Sequence, residues 1–404
     1  MTDAVAEPGV GDAPNLVPPP GNPRFPLFDS LRALAALSVF AGHTVTGVYT
    51  LSDHPTRFLW AVDLAYEGVA IFFLISGFLL YRPFLTARRG GRPVRLGSYA
   101  TRRVLRIVPA YWVALTIFIA AGFVSGVTTS NWWIFYGFGQ IYSGGNIGNG
   151  IGVAWTLCIE VTFYAALPVF ALACARLDRA SRFRADVVLL VLLAAGSLVF
   201  RAHFSAFIQV ARVSTLAGTF FWFALGMGLA ICSVWLQDRA PRPGGSAAVH
   251  QLWPVASWTA AIGLLVLNHQ VQTGFLGLDA RGAVVLTHVL YGLSALFVLM
   301  PAVFAERRAG PVQSALRLRL LAWIGLVSYA FYLYHTIVID QLNKLAKDAG
   351  ISARYAFVAV ASLVLTLACA AASYYLLERP VMRWGRASER RRRARAGAAA
   401  APKA

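Results

Sequence analysis

Long apolar stretches alternate with short polar segments along most of the chain. Each stretch holds about 20 residues, the length that a helix needs to cross the hydrocarbon core of a membrane. The stretches cover residues 28–50, 66–86, 107–127, 153–176, 187–204, 215–235, 252–270, 283–305, 320–343 and 354–376. This pattern predicts an all-α polytopic membrane protein, built as a bundle of about ten transmembrane helices.

The positive charges between the predicted spans fall mainly on alternate loops. With the N-terminus inside, the inside segments contain 27 Lys and Arg residues and the outside loops contain six. Because cytoplasmic loops are enriched in Lys and Arg, this asymmetry predicts that both termini are cytoplasmic. We therefore expect a multi-pass protein of the cell (plasma or inner) membrane.

The two ends of the chain differ in composition from the predicted spans. Residues 1–26 are rich in Pro, Gly, Ala and Asp, and residues 385–404 are basic and rich in Ala. Such segments bury too little apolar surface to offset the entropy of folding. We predict a disordered N-terminal tail, a membrane domain over 27–384 and a disordered, basic C-terminal tail.

Composition narrows the function classes further. Of the 404 residues, 58% are hydrophobic and only 13% are charged, whereas a soluble domain has about a quarter charged residues. The formal net charge is +19, but its spread over alternate loops and the lack of a nucleic-acid-binding motif argue against nucleic acid. The four cysteines contain no CxxC pair, so neither a disulfide framework nor a metal site is expected.

A histidine interrupts the first span, in the stretch "LSVFAGHTVTG" at 37–47. Arg32 and His43 are 11 residues apart, close to three helical turns, so they share a helix face at a separation of roughly 16 Å. This arrangement suits a long donor with an anionic head and a reactive tail, such as a coenzyme A thioester. Each residue also has a structural interpretation: Arg32 as an interface anchor and His43 as a buried imidazole bonded to a neighbouring helix.

A pair of arginines enters the third span, in the stretch "YATRRVLRIVPAYW" at 99–112. Arg103 and Arg106 are three residues apart and therefore share a helix face. The planar guanidinium fork suits phosphate oxygens, which points to a site for the phosphates of the donor. The alternative is ordinary positive-inside topology or contact with anionic lipid.

An acidic residue, Glu160, lies within the fourth predicted span, and Tyr164 follows one turn further on the same face. Glu160 and His43 are each about seven residues from the outer end of their spans, so the two side chains reach a similar depth. A carboxylate beside an imidazole can fix its tautomer and stabilise the imidazolium. We therefore predict Glu160 as the partner of His43, with a purely structural buried pair as the alternative.

Several stretches together resemble the acyltransferase-3 family of integral-membrane acyltransferases, over about residues 28–384. The matching stretches are "FDSLRALAALSVFAGH", "EGVAIFFLISGFLL", "RRVLRIVPAYW", "WTLCIEVTFY", "SYAFYLYH" at 328–335 and "ERP" at 378–380. The resemblance implies that His43 is the essential histidine, that Arg103 and Arg106 form the paired-arginine motif near the donor site, and that Glu160 is the acid of the fourth span.

The chain departs from the family pattern at two positions. Val161 stands where a second glutamate is usual, and Ala70 stands where many members carry an aspartate. Glu67, three residues before Ala70, is a candidate substitute for that acid. His335, at the end of its motif and at a depth similar to that of His43, is a candidate to bind the acceptor, to shuttle a proton or to have a packing or hydrogen-bonding role.

The resulting hypothesis is a membrane-bound O-acyltransferase. It would move an acyl group, most simply acetyl from acetyl-CoA, from a cytoplasmic acyl-CoA to a hydroxyl of a sugar, glycan or glycolipid, with no metal. His43 would be the general base, Glu160 its orienting partner, and Arg32, Arg103 and Arg106 the ligands of the donor, while Tyr164, His335 and Glu67 would support the site or the acceptor. An acyl-histidine intermediate, a transporter of a glycan or proton-coupled solute, and a non-catalytic family member remain alternatives.

Overall fold

A computed structural model describes residues 25, 27–144, 146–177, 183–205, 214–237, 247–304 and 310–399. These residues form helices and connecting turns, without a strand. The α-helices are α1 (Leu27–Val48), α2 (Pro55–Arg88), α3 (Leu96–Ala120), α4 (Trp132–Tyr136), α5 (Trp155–Leu177), α6 (Arg184–Ser205), α7 (Leu216–Gln237), α8 (Ala247–Gln272), α9 (Ala280–Phe304), α10 (Pro311–Leu316), α11 (Arg319–Asp348), α12 (Arg354–Ser373) and α13 (Arg379–Ala399). A 3₁₀ turn, Gly152–Ala154, precedes α5, and a π-helical turn, Tyr374–Glu378, joins α12 to α13.

Every predicted span corresponds to a helix, which confirms the all-α polytopic prediction. Within the described ranges, nine helices are long and apolar enough to cross a membrane. The helix over the seventh predicted span, α8, is not among the nine, and polar residues such as Asn268 and His269 occupy its last turns. The cytoplasmic position of both termini stays a prediction.

Helices α2 and α3 begin at Pro55 and Leu96, well before the predicted spans at 66 and 107. Hydropathy measures transfer into lipid, whereas a helix continues wherever its polar side chains face protein or the membrane surface. Asp63, for example, lies in the extended first part of α2 and is buried against other helices. The apolar pattern therefore located these helices but underestimated their length.

Helix α1 is packed tightly between α2 and α11 through glycines. A Cβ added at Gly42 would lie 2.4 Å from the carbonyl oxygen of Ala61 on α2. A Cβ added at Gly325 on α11 would lie 1.7 Å from the carbonyl oxygen of Asp29. Small residues allow such close helix contacts in membranes. These contacts place the side chains of α1 directly against both neighbours.

The C-terminal region differs from the sequence-based prediction. Instead of a disordered tail from residue 385, the chain continues through the π turn into α13, which ends at Ala399. Gly385 of α13 lies so close to α3 that an added Cβ would be 2.3 Å from Leu105 Cδ1. This packing against the bundle is the physical reason why a basic segment is helical here. The predicted N-terminal tail, apart from Phe25, and residues 400–404 lie outside the described residues.

Candidate active site

A cavity of about 340 Å³ opens among α1, α2, α3, α5, α11 and α13. Its volume is in the range of small-molecule sites. Apolar and aromatic side chains of α2 and α11, including Phe72 and Tyr332, form part of its wall. Charged side chains also line it, so the cavity can hold a ligand that is partly apolar and partly charged.

Five arginines line the cavity: Arg32, Arg102, Arg103, Arg106 and Arg386. Two of them have carboxylate partners. Arg32 donates to Asp29 over 2.6 Å, and Arg102 lies 3.4 Å from Glu389 of α13. The remaining three carry positive charge that no carboxylate in the described part of the chain neutralises at ion-pair distance.

Arg103 and Arg106 are on α3, where the sequence predicted a phosphate-binding pair. Both are half-buried, and the structure gives neither a hydrogen bond nor an ion pair with a described residue. The Nε atom of Arg103 is fully buried without an acceptor, and its guanidinium carbon lies 5.7 Å from the centre of the Tyr164 ring. A buried donor without an acceptor is costly, so this geometry favours an anionic ligand.

Glu160 faces the cavity from α5 and accepts two hydrogen bonds. Ser76 Oγ donates to its Oε1 over 2.7 Å, and Tyr164 OH donates to the same atom over 2.5 Å. Glu160 and Tyr164 share one helix face, as their spacing predicted, whereas Ser76 on α2 reaches Glu160 only through the packing of α2 against α5. Tyr164 in turn presents its ring to Arg103, so Glu160 orients the ring that supports the arginine.

The structure gives no hydrogen bond between Glu160 and His43, the two residues that the sequence predicted as partners. The described partners of the His43 ring are Val39 and His335: its Nδ1 lies 2.9 Å from the Val39 carbonyl oxygen and 3.3 Å from His335 Nε2. The two imidazole rings meet edge-on, with their centres 5.0 Å apart. Similar depth in two spans did not make Glu160 a neighbour of His43, because α11 supplies the contacting group instead.

The hydrogen-bond partners assign the tautomers of both rings. A carbonyl oxygen only accepts, so His43 Nδ1 carries the proton that faces Val39. His335 Nδ1 lies 2.6 Å from the Tyr332 carbonyl oxygen and therefore also carries a proton. His335 Nε2 is then a second, more distant acceptor that shares the single His43 Nδ1–H with the Val39 carbonyl oxygen. This arrangement leaves His43 Nε2 unprotonated and available as a base or nucleophile.

His43 and His335 are not among the residues that line the cavity. Tyr332 lines the cavity and, three residues before His335 on α11, accepts the hydrogen bond from its Nδ1. The Tyr332 hydroxyl accepts from Thr156 Oγ1 over 2.9 Å, and its ring contacts Phe72. Tyr332 is therefore a residue of the cavity wall that also contacts His335 of the histidine pair.

Glu67 does not reach the cavity. It is buried and accepts a hydrogen bond from Ser294 Oγ of α9 over 2.9 Å. It therefore does not replace the acid that Ala70 lacks. Nearby on α2, Asp63 accepts hydrogen bonds from residues of α8 and α9, among them Asn268 at 2.5 Å and Tyr291 at 2.8 Å. Both acids belong to a polar cluster on a different face of α2.

Glu378 was part of a matched stretch but was not predicted as a site residue. It lies at the end of the π turn, lines the cavity and is only 4% exposed, with Ser373 Oγ donating to it over 3.3 Å. π turns inside helices are frequent at functional sites because they redirect a side chain. The sequence offers no periodic signal for this insertion, so only the structure places Glu378 here.

The long apolar helices define an integral-membrane protein, and a cavity lined by arginines lies within its helical bundle. A family model described as an acyltransferase domain matches residues 26–375. The chain belongs to this acyltransferase-3 family and is an integral-membrane acyltransferase, as the sequence motifs predicted.

Curated relatives agree with this assignment. The chain is similar to nodulation protein 10 of Rhizobium leguminosarum bv. viciae, with 28% identity over 88% of this chain and 93% of the relative. It is similar to the exopolysaccharide production protein ExoZ of Rhizobium meliloti, with 30% identity over 79% of this chain and 90% of the relative. It is also similar to the peptidoglycan O-acetyltransferase OatA of Listeria monocytogenes, with 24% identity over 89% of this chain. The match spans only 56% of that relative's length. No solved structure matches the chain.

Proposed function

We propose that this protein transfers an acetyl group from acetyl-CoA to a hydroxyl group of a glycan, at the cell membrane. The family supports acyl transfer. One relative is named a peptidoglycan O-acetyltransferase and another an exopolysaccharide production protein, which favours a polymeric saccharide as the acceptor. The single observation that supports the donor is the cavity with arginines that lack a carboxylate partner.

In this proposal the phosphates of acetyl-CoA bind Arg103 and Arg106, with Arg32 beside them. Guanidinium groups recognise phosphate oxygens through paired hydrogen bonds. The pantetheine arm then extends along the apolar wall toward Tyr332, where its amide N–H groups meet the carboxylate of Glu160. Arg32 and His43 are roughly 16 Å apart along α1, a separation that a long, thin donor can span.

The chemical step uses the free Nε2 of His43. His43 takes the proton of the acceptor hydroxyl as the oxygen attacks the thioester carbonyl, the carbon–sulfur bond breaks, and the thiolate receives the proton. The products are the O-acetyl ester and free CoA. His335 accepts the Nδ1–H of His43 and stabilises the imidazolium, the role that the sequence had assigned to Glu160. The same Nε2 can instead form an acetyl-histidine, which the hydroxyl then attacks.

The test uses membranes that contain the protein, acetyl-CoA labelled in the acetyl group, and glycan from the host cells. We expect free CoA and labelled O-acetyl glycan, and we expect His43→Ala to abolish both. His54→Ala is the matched control, because His54 is exposed in the loop before α2 and lies outside the cavity. Full acetyl transfer by His43→Ala would refute the mechanism. Absence of CoA release by the wild-type protein would favour a transporter or a non-catalytic protein.

A further inference from the structure

Helix α13 forms part of the wall of the donor cavity. Met382, Gly385, Arg386 and Glu389 all line it. The helix begins at Arg379, beyond the residues 26–375 that the family model matches. The cavity-lining residues of α13 therefore lie outside the segment that the family model matches.

Two contacts hold α13 against α3 at the wall of the cavity. Gly385 packs against Leu105 of α3 at a distance that leaves no room for a side chain without movement of Leu105. One turn further, Glu389 lies 3.4 Å from Arg102 of the same helix α3. Both contacts face α3, so the intervening Arg386 is fixed next to the arginines that α3 contributes.

Arg386 resembles Arg103 and Arg106 in its environment. It is half-buried, and the structure gives it no hydrogen bond or ion pair with a described residue. Three guanidinium groups from two helices thus face one cavity without a carboxylate partner at ion-pair distance. Like charges repel one another. Glu160 and Glu378 line the same cavity, but neither forms an ion pair with these three guanidinium groups, so an anion with several negative charges bound between them would reduce the repulsion.

We propose that α13 completes the donor site, and that Arg386 binds phosphate groups of the acyl-CoA together with Arg103 and Arg106. The identity of the anion rests on the proposed function, while the convergence of three arginines does not. The ligand chemistry is that of a nucleotide with several phosphates. A phospholipid headgroup shares part of this chemistry, and the experiment separates the two sources.

The experiment measures the affinity of CoA for the purified full-length protein in phosphatidylcholine nanodiscs, which carry no net lipid charge. Free CoA needs no chemical step, so binding is read independently of activity. Loss of a charge-assisted hydrogen bond at a half-exposed site weakens binding by about 5- to 20-fold. We expect this loss for Arg386→Gln and a smaller one for Arg386→Lys, which keeps the charge but not the planar fork.

Arg391→Gln is the matched control, because the substitution removes the same charge from the same helix. Arg391 is exposed and does not line the cavity. We expect its affinity for CoA to stay within about twofold of wild type, since exposed charges are screened by salt. Thermal unfolding of each variant in nanodiscs checks that α13 and the bundle remain folded.

Equal weakening by Arg386→Gln and Arg391→Gln would overturn the proposal, because the effect would then be general electrostatics. Unchanged CoA affinity in Arg386→Gln, with wild type still binding CoA and transferring acetyl, would overturn it while leaving the proposed function intact. If wild type binds no CoA, and Arg386→Gln alters only the retention of anionic phosphatidylglycerol added to the nanodiscs, the anion is a lipid and the proposed donor fails as well.

Discussion

Replacement of His335 tests whether this residue, and not Glu160, positions the base. In His335→Leu the leucine side chain is close to histidine in volume, but the substitution removes the acceptor atom that lies 3.3 Å from His43 Nδ1. The carbonyl oxygen of Val39, at 2.9 Å, remains. The tautomer of His43 is therefore retained, and only the second acceptor of the Nδ1–H is lost.

The size of the effect follows from that single interaction. A hydrogen bond to a group that becomes charged contributes about 1.5–3 kcal/mol. His43 becomes an imidazolium only as it takes the proton, so the loss applies to the transition state and lowers kcat by about 10- to 100-fold. KM for acetyl-CoA should change little, because the cavity does not include His335.

The assay compares kcat and KM for CoA release in His335→Leu, His335→Gln and His43→Ala. The glutamine amide oxygen can take the place of Nε2 as an acceptor, so His335→Gln should recover part of the lost kcat. A His335→Leu variant with full kcat would refute the positioning role. A variant that raised only KM would refute it too, since it would assign His335 to substrate binding.

Three further predictions concern the cavity and its scaffold. Glu160→Gln weakens the acceptor of the hydrogen bonds from Ser76 and Tyr164. Because the Tyr164 ring supports Arg103, we expect the KM for acetyl-CoA to rise by about 5- to 20-fold; an unchanged KM would contradict this. Gly325→Ala places a Cβ against the backbone of α1, so we expect the free energy of unfolding to fall by about 1–3 kcal/mol and the activity to fall with it. In the control Gly263→Ala on α8, the added Cβ meets open space, so the melting temperature should not fall. Asp63→Ala leaves several buried donors without an acceptor and should lower the melting temperature, while CoA affinity remains within about twofold if its cluster is separate from the donor cavity.

The proposed site divides the reaction between two regions of the bundle. The arginines and Glu160 lie around the cavity, whereas the histidine pair is not among the residues that line it. Such a separation would keep the thioester shielded from bulk water until its carbonyl reaches the base. A neutral His335 adds an acceptor beside His43 without adding another buried charge.

Local properties of the sequence determined the all-α architecture, the positions of the helices and the few polar residues inside them. Transfer of a segment into lipid depends on its own side chains, and helical periodicity places Arg103 with Arg106 on one face whatever the neighbours are. The family motifs identified His43, Arg103, Arg106 and Glu160 as candidate residues, and the cavity brings the two arginines and Glu160 together.

The tertiary structure decided which of these groups meet. Depth along a span is one coordinate, but a contact also depends on which helix lies beside it and on how each helix is rotated. Those two quantities come from packing of residues far apart in sequence, such as Gly325 against Asp29. They gave His43 the partner His335 and Glu160 the partner Ser76. They also placed the C-terminal helix α13 against the bundle, where Arg386 lines the cavity.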